Sequence, residues 1–475
     1  MSEVKKQAYL AFDYGASSGR LMLCTYDGER IDMQEIHRFP NDPVWMAGHF
    51  YWDFPRLFHE MKQGLKKVAK LDVEIAGIGI DTWGVDYGFL DADGRLISNP
   101  FCYRDPKNDQ GMREMDQVHD FAEFYKIAGL QKMDFNTAYQ LYYDVKHRPY
   151  IIDAAETFLF MPDLFAYMLT GEKVCEYTIA STSQLLDARK RDWSEEIMDM
   201  VGVPRRLFPK LVTPGTVIGT LTEQVQEETG LGPIPVIAVG CHDTASAVCG
   251  APIESENSVF MSSGTWSLIG MEIQEPIINE TSLAYNFTNE GGVEHTIRFL
   301  KNITGLWIIQ NLKKKWNETM PEIGYPEIIA AAKEAERKDF MIDPDDPRFS
   351  APMDMVKEVV GYCEEHGQGK PETIGEIAIA AYNGLGEKYR QNVEAIETMT
   401  GKTVDVINMV GGGTQDKFLC QMTATRTGKK VLAGPIEAAV VGSVLMQMKA
   451  TGNLESLEEG RKIVKKSFPI EVFEA

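Results

Sequence analysis

Ala8-Tyr-Leu-Ala-Phe-Asp-Tyr-Gly-Ala-Ser-Ser-Gly-Arg-Leu-Met-Leu-Cys24 reads as a strand, a polar glycine turn and a second strand. The pattern returns at Ser258-Val-Phe-Met-Ser-Ser-Gly-Thr-Trp-Ser-Leu-Ile-Gly270. Shortly before the second copy, the apolar run Pro233-Ile-Pro-Val-Ile-Ala-Val-Gly240 leads into His242-Asp243-Thr244. Two glycine hairpins, each opening its own half of the chain, predict two duplicated lobes. Turns with exposed N–H groups and hydroxyls are suited to holding phosphates.

Working outward, residues 8 to 36 alternate with period two and read as hairpin strands. Leu57, Met61, Leu65 and Val68 have helical spacing. Ile75 to Ile80 is a short buried strand that delivers Asp81-Thr-Trp-Gly-Val-Asp86 at its end. Residues 110 to 230 read as mostly helical. Pro233 to Gly240 is another buried strand, and the small residues from Thr244 suit a helix start. Helices are predicted over 328–337 and 374–398, a strand over Val404–Val410, a turn at Gly411-Gly-Gly413 and a helix over 415–426. A strand at Lys430–Ala433 and a small-residue helix from Glu437 follow. Interleaved strands and helices define an α/β architecture. No low-complexity linker separates the halves, so the boundary near residue 246 reads as a hinge. The expected lobes are 1–246 and 247–455, with the segment 456–475 packing back on the first.

At 475 residues the chain is long enough for two domains. Its net charge of −22 argues against nucleic acid as a partner. Phosphates must then be held locally, by main-chain N–H groups, an arginine and a divalent metal. No apolar run reaches the length needed to span a membrane, and Asp13 interrupts the N-terminal apolar stretch too early for a signal peptide. Seven scattered cysteines form no C-x-x-C pair, which predicts a reduced, cytoplasmic chain.

Within Asp13-Tyr-Gly-Ala-Ser-Ser-Gly-Arg20, the turn is able to wrap β- and γ-phosphates, Arg20 adds charge, and Asp13 at the strand end is placed to hold Mg²⁺. Alone, the octamer reads equally as a polar β-turn. Gly401-Lys-Thr403 lacks the upstream glycine of a P-loop, and Gly411-Gly-Gly413 lacks the dinucleotide-binding spacing. Asp243 reads either as a helix cap or as the carboxylate that accepts a proton from an attacking hydroxyl. An ordinary carboxylate suffices for that, because phosphoryl transfer has a loose transition state. His242 and Thr244 would position the acceptor, and Asp81, Trp83 and Gly84 suit a polyol site.

The order of these motifs resembles that of the FGGY carbohydrate kinases, within the actin-like ATPase superfamily, along nearly all the chain. The residues that carry the resemblance include Gly79-Ile-Asp-Thr-Trp-Gly-Val-Asp86, Tyr103-Arg-Asp105, Met161-Pro-Asp163, His242-Asp-Thr-Ala-Ser-Ala-Val248, Ser262-Ser-Gly-Thr-Trp-Ser267, Thr288-Asn-Glu-Gly-Gly292 and Lys301-Asn-Ile303. The resemblance implies two ribonuclease-H-like lobes with an active-site cleft between them. It implies Asp243 as general base, with Ala16, Ser17, Ser18, Gly19 and Arg20 on the ATP phosphates. Thr265, Gln310 and Gly412 would complete the nucleotide site, while Gly84, His242, Asp243, Thr244 and Asn302 would touch the sugar. Asp13 would anchor Mg²⁺. The implied reaction is ATP-dependent phosphorylation of the 1-hydroxyl of L-rhamnulose, with L-fuculose or another ketose, or a non-metabolic actin-like ATPase, as alternatives. The expected partners are a sugar and ATP, with no nucleic acid or membrane, in a monomer or small homo-oligomer. Two departures stand out. Gly15-Ala16 replaces the Gly-Thr usual in glycerol and xylulose kinases, and Asp416 stands where the family's glycine loop commonly has Asn.

Overall fold

The computed structural model describes residues 7–335, 338–350 and 352–475. The chain divides into two compact units. The first comprises Met1–Gly250, Glu272–Phe299 and Ala438–Ser467; the second comprises Ala251–Met271, Leu300–Glu437 and Phe468–Ala475.

The first unit is built on a six-stranded sheet. Its strands are β1 (Gln7–Tyr14), β2 (Ser18–Tyr26), β3 (Ile31–Pro40), β4 (Ile75–Thr82), β5 (Val217–Thr220) and β6 (Pro235–Ile237), in the spatial order β5-β6-β4-β1-β2-β3. β1, β2 and β3 form an antiparallel meander, β4 and β6 continue parallel to β1, and β5 closes the edge antiparallel. Helix α1 (Phe54–Val68) is capped by Asp53 and has Pro55 in its first turn, where a missing N–H costs nothing. Its buried residues Phe54, Leu57, Met61, Leu65 and Val68 follow the 3.6-residue period of one apolar face.

The second unit repeats the order. The second sheet has seven strands: β7 (Ser258–Ser263), β8 (Trp266–Ile273), β9 (Ile297–Thr304), β10 (Val406–Val410), β11 (Lys430–Ala433) and β12 (Glu471–Phe473), arranged β9-β8-β7-β10-β11-β12, with the short strand Thr288–Gly291 at the edge beside β9. A hairpin, two strands parallel to its first member and an antiparallel edge strand recur in the same sequence. The duplication read from two turns therefore extends to whole sheets, as ribonuclease-H-like lobes require.

Three expectations need adjustment. The expected hinge near residue 246 lies inside helix α2 (Asp243–Cys249), so the first division falls after Gly250. The small-residue helix, here α6 (Ala438–Ala450), belongs to the first unit rather than the second; α3, α4 and α5 are Trp307–Thr319, Ile374–Thr400 and Lys417–Thr427. The segment 456–475 is split, with α7 (Leu457–Ser467) in the first unit and β12 in the second. The reason for α6 is visible in its packing. A Cβ on Gly442 would lie 1.8 Å from the Ser246 carbonyl oxygen, and one on Gly250 would lie 2.2 Å from that of Ala438. Only glycines allow α2 and the start of α6 to approach this closely.

The region 110–230 contains, besides its helices, several short strands, among them Thr157–Phe160 and β5. Runs of four residues are too short for periodicity to separate strand from helix. The predicted helix over 328–337 runs Tyr325–Glu334, and Arg337 lies outside the described residues. Among the described residues, no helix is long and apolar enough to cross a membrane.

Candidate active site

In the first unit the parallel pairing of β1 and β4 sets Asp13 directly opposite Asp81. An isolated bridge pairs Thr82 with His242, and the Thr82 N–H donates to the Cys241 carbonyl at 2.9 Å, which brings Asp243 to the same sheet end. Three acids thus meet where strands stop. Asp81 is fully buried, and both its carboxylate oxygens lack a hydrogen-bond partner among the described residues. Burial, and then the charges of Asp13 and Asp243, push its carboxyl well above the ordinary range.

Asp13 is engaged by Arg20, whose Nε and Nη2 both donate to Oδ2, at 3.0 and 2.6 Å. The guanidinium expected on phosphate is therefore already paired to the expected metal anchor. In the turn, the Gly15 N–H donates to the Ser18 carbonyl at 2.9 Å, and Ala16, Ser17 and Ser18 keep accessible surface. Gly19 is buried in β2, in register with Tyr14 on one side and Phe39 on the other.

Asp243 opens α2, with its side chain 36% exposed. Desolvation of its partly buried side chain lifts its carboxyl above the ordinary value, and the charge of Asp13 adds to that lift. The Thr244 N–H donates to Oδ1 at 2.5 Å, the Thr244 hydroxyl at 3.1 Å, and His242 Nε2 lies 3.4 Å from the same atom. The hydrogen bonds and the charged contact to this carboxylate among the described residues all fall on Oδ1, which leaves Oδ2 unengaged.

The strand end carrying His242 is clamped from behind by Glu176. This buried carboxylate accepts from the N–H groups of Thr178, Ile179 and Cys241 and from the Thr178 hydroxyl. Burial pushes its carboxyl up to about 7.

Gly84 stands on the loop after β4, followed by Val85 at φ 68°, a strained conformation for a β-branched residue. Thr182 Oγ1 accepts the Val85 N–H at 3.1 Å and Thr137 Oγ1 donates to its carbonyl at 2.7 Å, holding it there. Asp86 then gathers Trp52 Nε1, Trp83 Nε1 and the Tyr103 N–H on Oδ2, at 2.6, 2.9 and 3.0 Å, and Gln140 Nε2 on Oδ1 at 3.1 Å. Burial pushes its carboxyl up to about 6. Asp86→Ala leaves the Trp52, Trp83 and Tyr103 donors without an acceptor, while Gln140 Nε2 keeps the Phe135 carbonyl, so a loss of about 3 kcal/mol in denaturant-measured stability is expected. An unchanged unfolding midpoint would contradict that role.

In the second unit Thr265 and Gln310 are joined by a 3.3 Å hydrogen bond from Thr265 Oγ1 to Gln310 Oε1. The Thr265 carbonyl also accepts the N–H groups of Gly305 and Trp307 where α3 begins. Gly411 and Gly413 press on β7: Cβ atoms there would lie 2.8 Å from the Ser263 carbonyl oxygen and 2.0 Å from Ser263 Oγ. At Gly412 a Cβ would meet nothing within 4 Å. Gly412 is thus the member of the triplet that borders open space, where a flat ligand is able to approach the backbone. Asp416 caps α5 through the Leu419 N–H at 3.0 Å and accepts the Tyr382 hydroxyl at 2.6 Å, so this departure from the family pattern has an internal use. Asn302 lies half-buried on β9 and belongs to the second unit, while Gly84, His242, Asp243 and Thr244 belong to the first.

Sequence reasoning missed the convergence on Asp86, the Glu176 clamp and the pair Glu290–Arg298 behind His242. The available signal was charge inside apolar strand patterns, as in Ile297-Arg-Phe-Leu300.

Two duplicated α/β units, one presenting strand-end carboxylates and the other a glycine loop, define the architecture of a two-domain phosphotransferase. A model of the N-terminal domain of the FGGY family of carbohydrate kinases matches residues 8–250, and one of its C-terminal domain matches 259–451. The chain belongs to the FGGY family of carbohydrate kinases. It is 41% identical over 468 residues to a rhamnulokinase of Bacteroides thetaiotaomicron, covering 98% of this chain and 96% of that one. Against a rhamnulokinase of Enterococcus faecalis it is 39% identical, covering 100% and 95%. Among solved structures it is similar in fold to a ligand-bound xylulose kinase from Lactobacillus acidophilus, with a TM-score of 0.82, 16% identity and coverage of 98% and 94%. A Plasmodium falciparum glycerol kinase with ADP gives a TM-score of 0.79 at 16% identity, covering 99% and 94%.

Proposed function

We propose that this kinase transfers the γ-phosphoryl group of ATP to the 1-hydroxyl of L-rhamnulose, giving L-rhamnulose 1-phosphate and ADP in the breakdown of L-rhamnose. The observation that carries the reading is the near-full-length similarity to relatives named rhamnulokinase. In this reading Asp243 Oδ2 receives the proton of the attacking hydroxyl, while His242 and Thr244 steady Oδ1. Gly84 and Asn302 contact the sugar. The hairpin turn at Ala16, Ser17 and Ser18, with Gly19 and Arg20 behind it, faces the phosphates. Thr265, Gln310 and Gly412 take the rest of the nucleotide.

Mg²⁺ fits the donor set of the first unit, because Asp13 and the orphaned oxygens of Asp81 are hard, oxygen-only ligands. Among the described residues no group of three or more such side chains is arranged to hold a metal. Mg²⁺ is typically held by one or two carboxylates together with phosphates and water. When bound there it would neutralise charge between the phosphates. Seven free, buried cysteines support a reduced, cytoplasmic setting.

ADP release with Mg-ATP, measured against L-rhamnulose, L-fuculose, D- and L-xylulose, D-ribulose, glycerol and no acceptor, tests the proposal. Strong stimulation by L-rhamnulose is expected. Preference for another acceptor replaces the substrate, and release indifferent to every acceptor removes the kinase reading.

A further inference from the structure

Behind His242 lies a buried charged pair with no part in the chemistry described so far. Arg298 is 0% exposed and Glu290 5%. Arg298 Nη1 stands 3.1 Å from Glu290 Oε2, and its Nε donates to the Gly291 carbonyl at 2.8 Å. The remaining nitrogen, Nη2, is 3.2 Å from His242 Nδ1. Glu290 Oε2 lies 3.3 Å from that same ring nitrogen. On the far side of the ring, Nε2 faces Asp243 Oδ1 at 3.4 Å. The four side chains form a line from the protein interior to the carboxylate assigned as base.

A buried ion pair is a poor source of stability, since an apolar pair of similar volume commonly serves as well or better. Its position against a site residue therefore calls for another use. A guanidinium has donors only. The Arg298 N–H is within hydrogen-bonding geometry of Nδ1, whereas Glu290 Oε2 has no aligned donor among the described residues. Nδ1 must then carry the lone pair and Nε2 the proton, because the bond at one ring nitrogen fixes the tautomer at the other.

We infer that Arg298 and Glu290 are positioning residues that hold His242 as the neutral Nε2–H tautomer, Arg298 by donating to Nδ1 and Glu290 by balancing the charge of Arg298. The Nε2–H then lies on the Asp243 side of the ring, 3.4 Å from Oδ1, where it adds to the field of the two Thr244 donors, and Oδ2 stays available for the acceptor hydroxyl. Without Glu290 an uncompensated guanidinium would sit in the core; without Arg298, Nδ1 would take the proton and give it to Glu290. Burial alone would raise the Glu290 carboxyl, but the Arg298 guanidinium beside it holds the group below its ordinary value. The inference rests on the reading of Asp243 as base, but the placement of the proton can be observed without any substrate.

The test is nitrogen NMR of protein labelled at its histidine rings, with His242 assigned by its loss in His242→Gln. The wild type is expected to show His242 neutral, with an unprotonated Nδ1. Arg298→Met is expected to move the proton to Nδ1 and to lower kcat by about tenfold or more with little change in KM for ATP. Arg298→Lys, which restores a donor, should return the proton to Nε2 and recover most of the lost turnover. A wild-type His242 protonated at Nδ1 overturns the inference. So does a folded Arg298→Met protein that keeps both tautomer and turnover. If Arg298→Met does not fold, the wild-type spectrum still decides. A wrong acceptor sugar would appear as wild-type inactivity while leaving the spectrum unaffected.

Discussion

Asp243→Asn is expected to reduce turnover by about three orders of magnitude and to leave ATP affinity within a few-fold of the wild type. The substitution is nearly isosteric, and an Asn carbonyl oxygen is able to keep the Oδ1 bonds from the Thr244 N–H and hydroxyl. The fold at the start of α2 should survive. What disappears, in the proposed function, is the proton acceptor at Oδ2, and general-base catalysis accounts for about 10²–10⁴ of rate in typical enzymes. The nucleotide-side candidates Thr265, Gln310 and Gly412 belong to the second unit and are untouched. Because burial holds the Asp243 carboxyl above its ordinary value, the wild-type kcat/KM should also rise with pH as this group ionises, and that limb should vanish in Asp243→Asn. Single-turnover phosphorylation and ATP binding measured in parallel provide the check. Near-normal turnover would falsify the assignment of the base.

Asp81→Asn should separate stability from activity. Asp81 is 0% exposed and lacks a hydrogen-bond partner on either oxygen among the described residues, with Asp13 directly opposite. Its folded pKa is held well above the ordinary 3.8, so between those values the folded state binds the proton that the unfolded chain has lost. Its contribution to stability is therefore fully present at low pH and is lost as pH rises through the folded pKa. Asn mimics the protonated acid. The variant and the wild type should have similar stability near pH 4, while near pH 8 the variant should be more stable by about 1–2 kcal/mol. Turnover should nevertheless fall by roughly a hundredfold if, as proposed, this carboxylate helps to hold Mg²⁺. Denaturant unfolding at both pH values, with steady-state rates over a range of Mg²⁺, tests both halves. A less stable variant at pH 8, or one with unaltered rate, would show that Asp81 is merely structural.

What the sequence made legible follows physical range. Strand-end acids such as Asp13 and Asp81, and glycine turns such as Gly411-Gly-Gly413, announce themselves because their neighbours in sequence are also their neighbours in space. The same holds for the hairpin of β1 and β2, for the face of α1, and for β11, which spans the predicted Lys430–Ala433. Contacts made across long loops were not legible. Glu176 reaches Cys241, and Arg298 reaches His242, over 65 and 56 residues. No local pattern encodes such partners; only an unexplained charge among apolar neighbours marked them. The internal use of Asp416 was hidden for the same reason, since Tyr382 lies 34 residues away.

The glycine contact between α2 and α6 bears on how this protein can be made. Gly250 belongs to the first half of the chain and Gly442 is 192 positions further on, yet each fits only against the other's helix. A ribosome must therefore synthesise nearly the whole second unit before the helix that begins with Asp243 meets its partner. The N-terminal region cannot complete its packing during translation, and a fragment ending at residue 250 would expose the docking surface of α2. Separating the two units for study calls for a rejoined chain, with both Glu272–Phe299 and Ala438–Ser467 linked to the N-terminal region, rather than a cut between the halves.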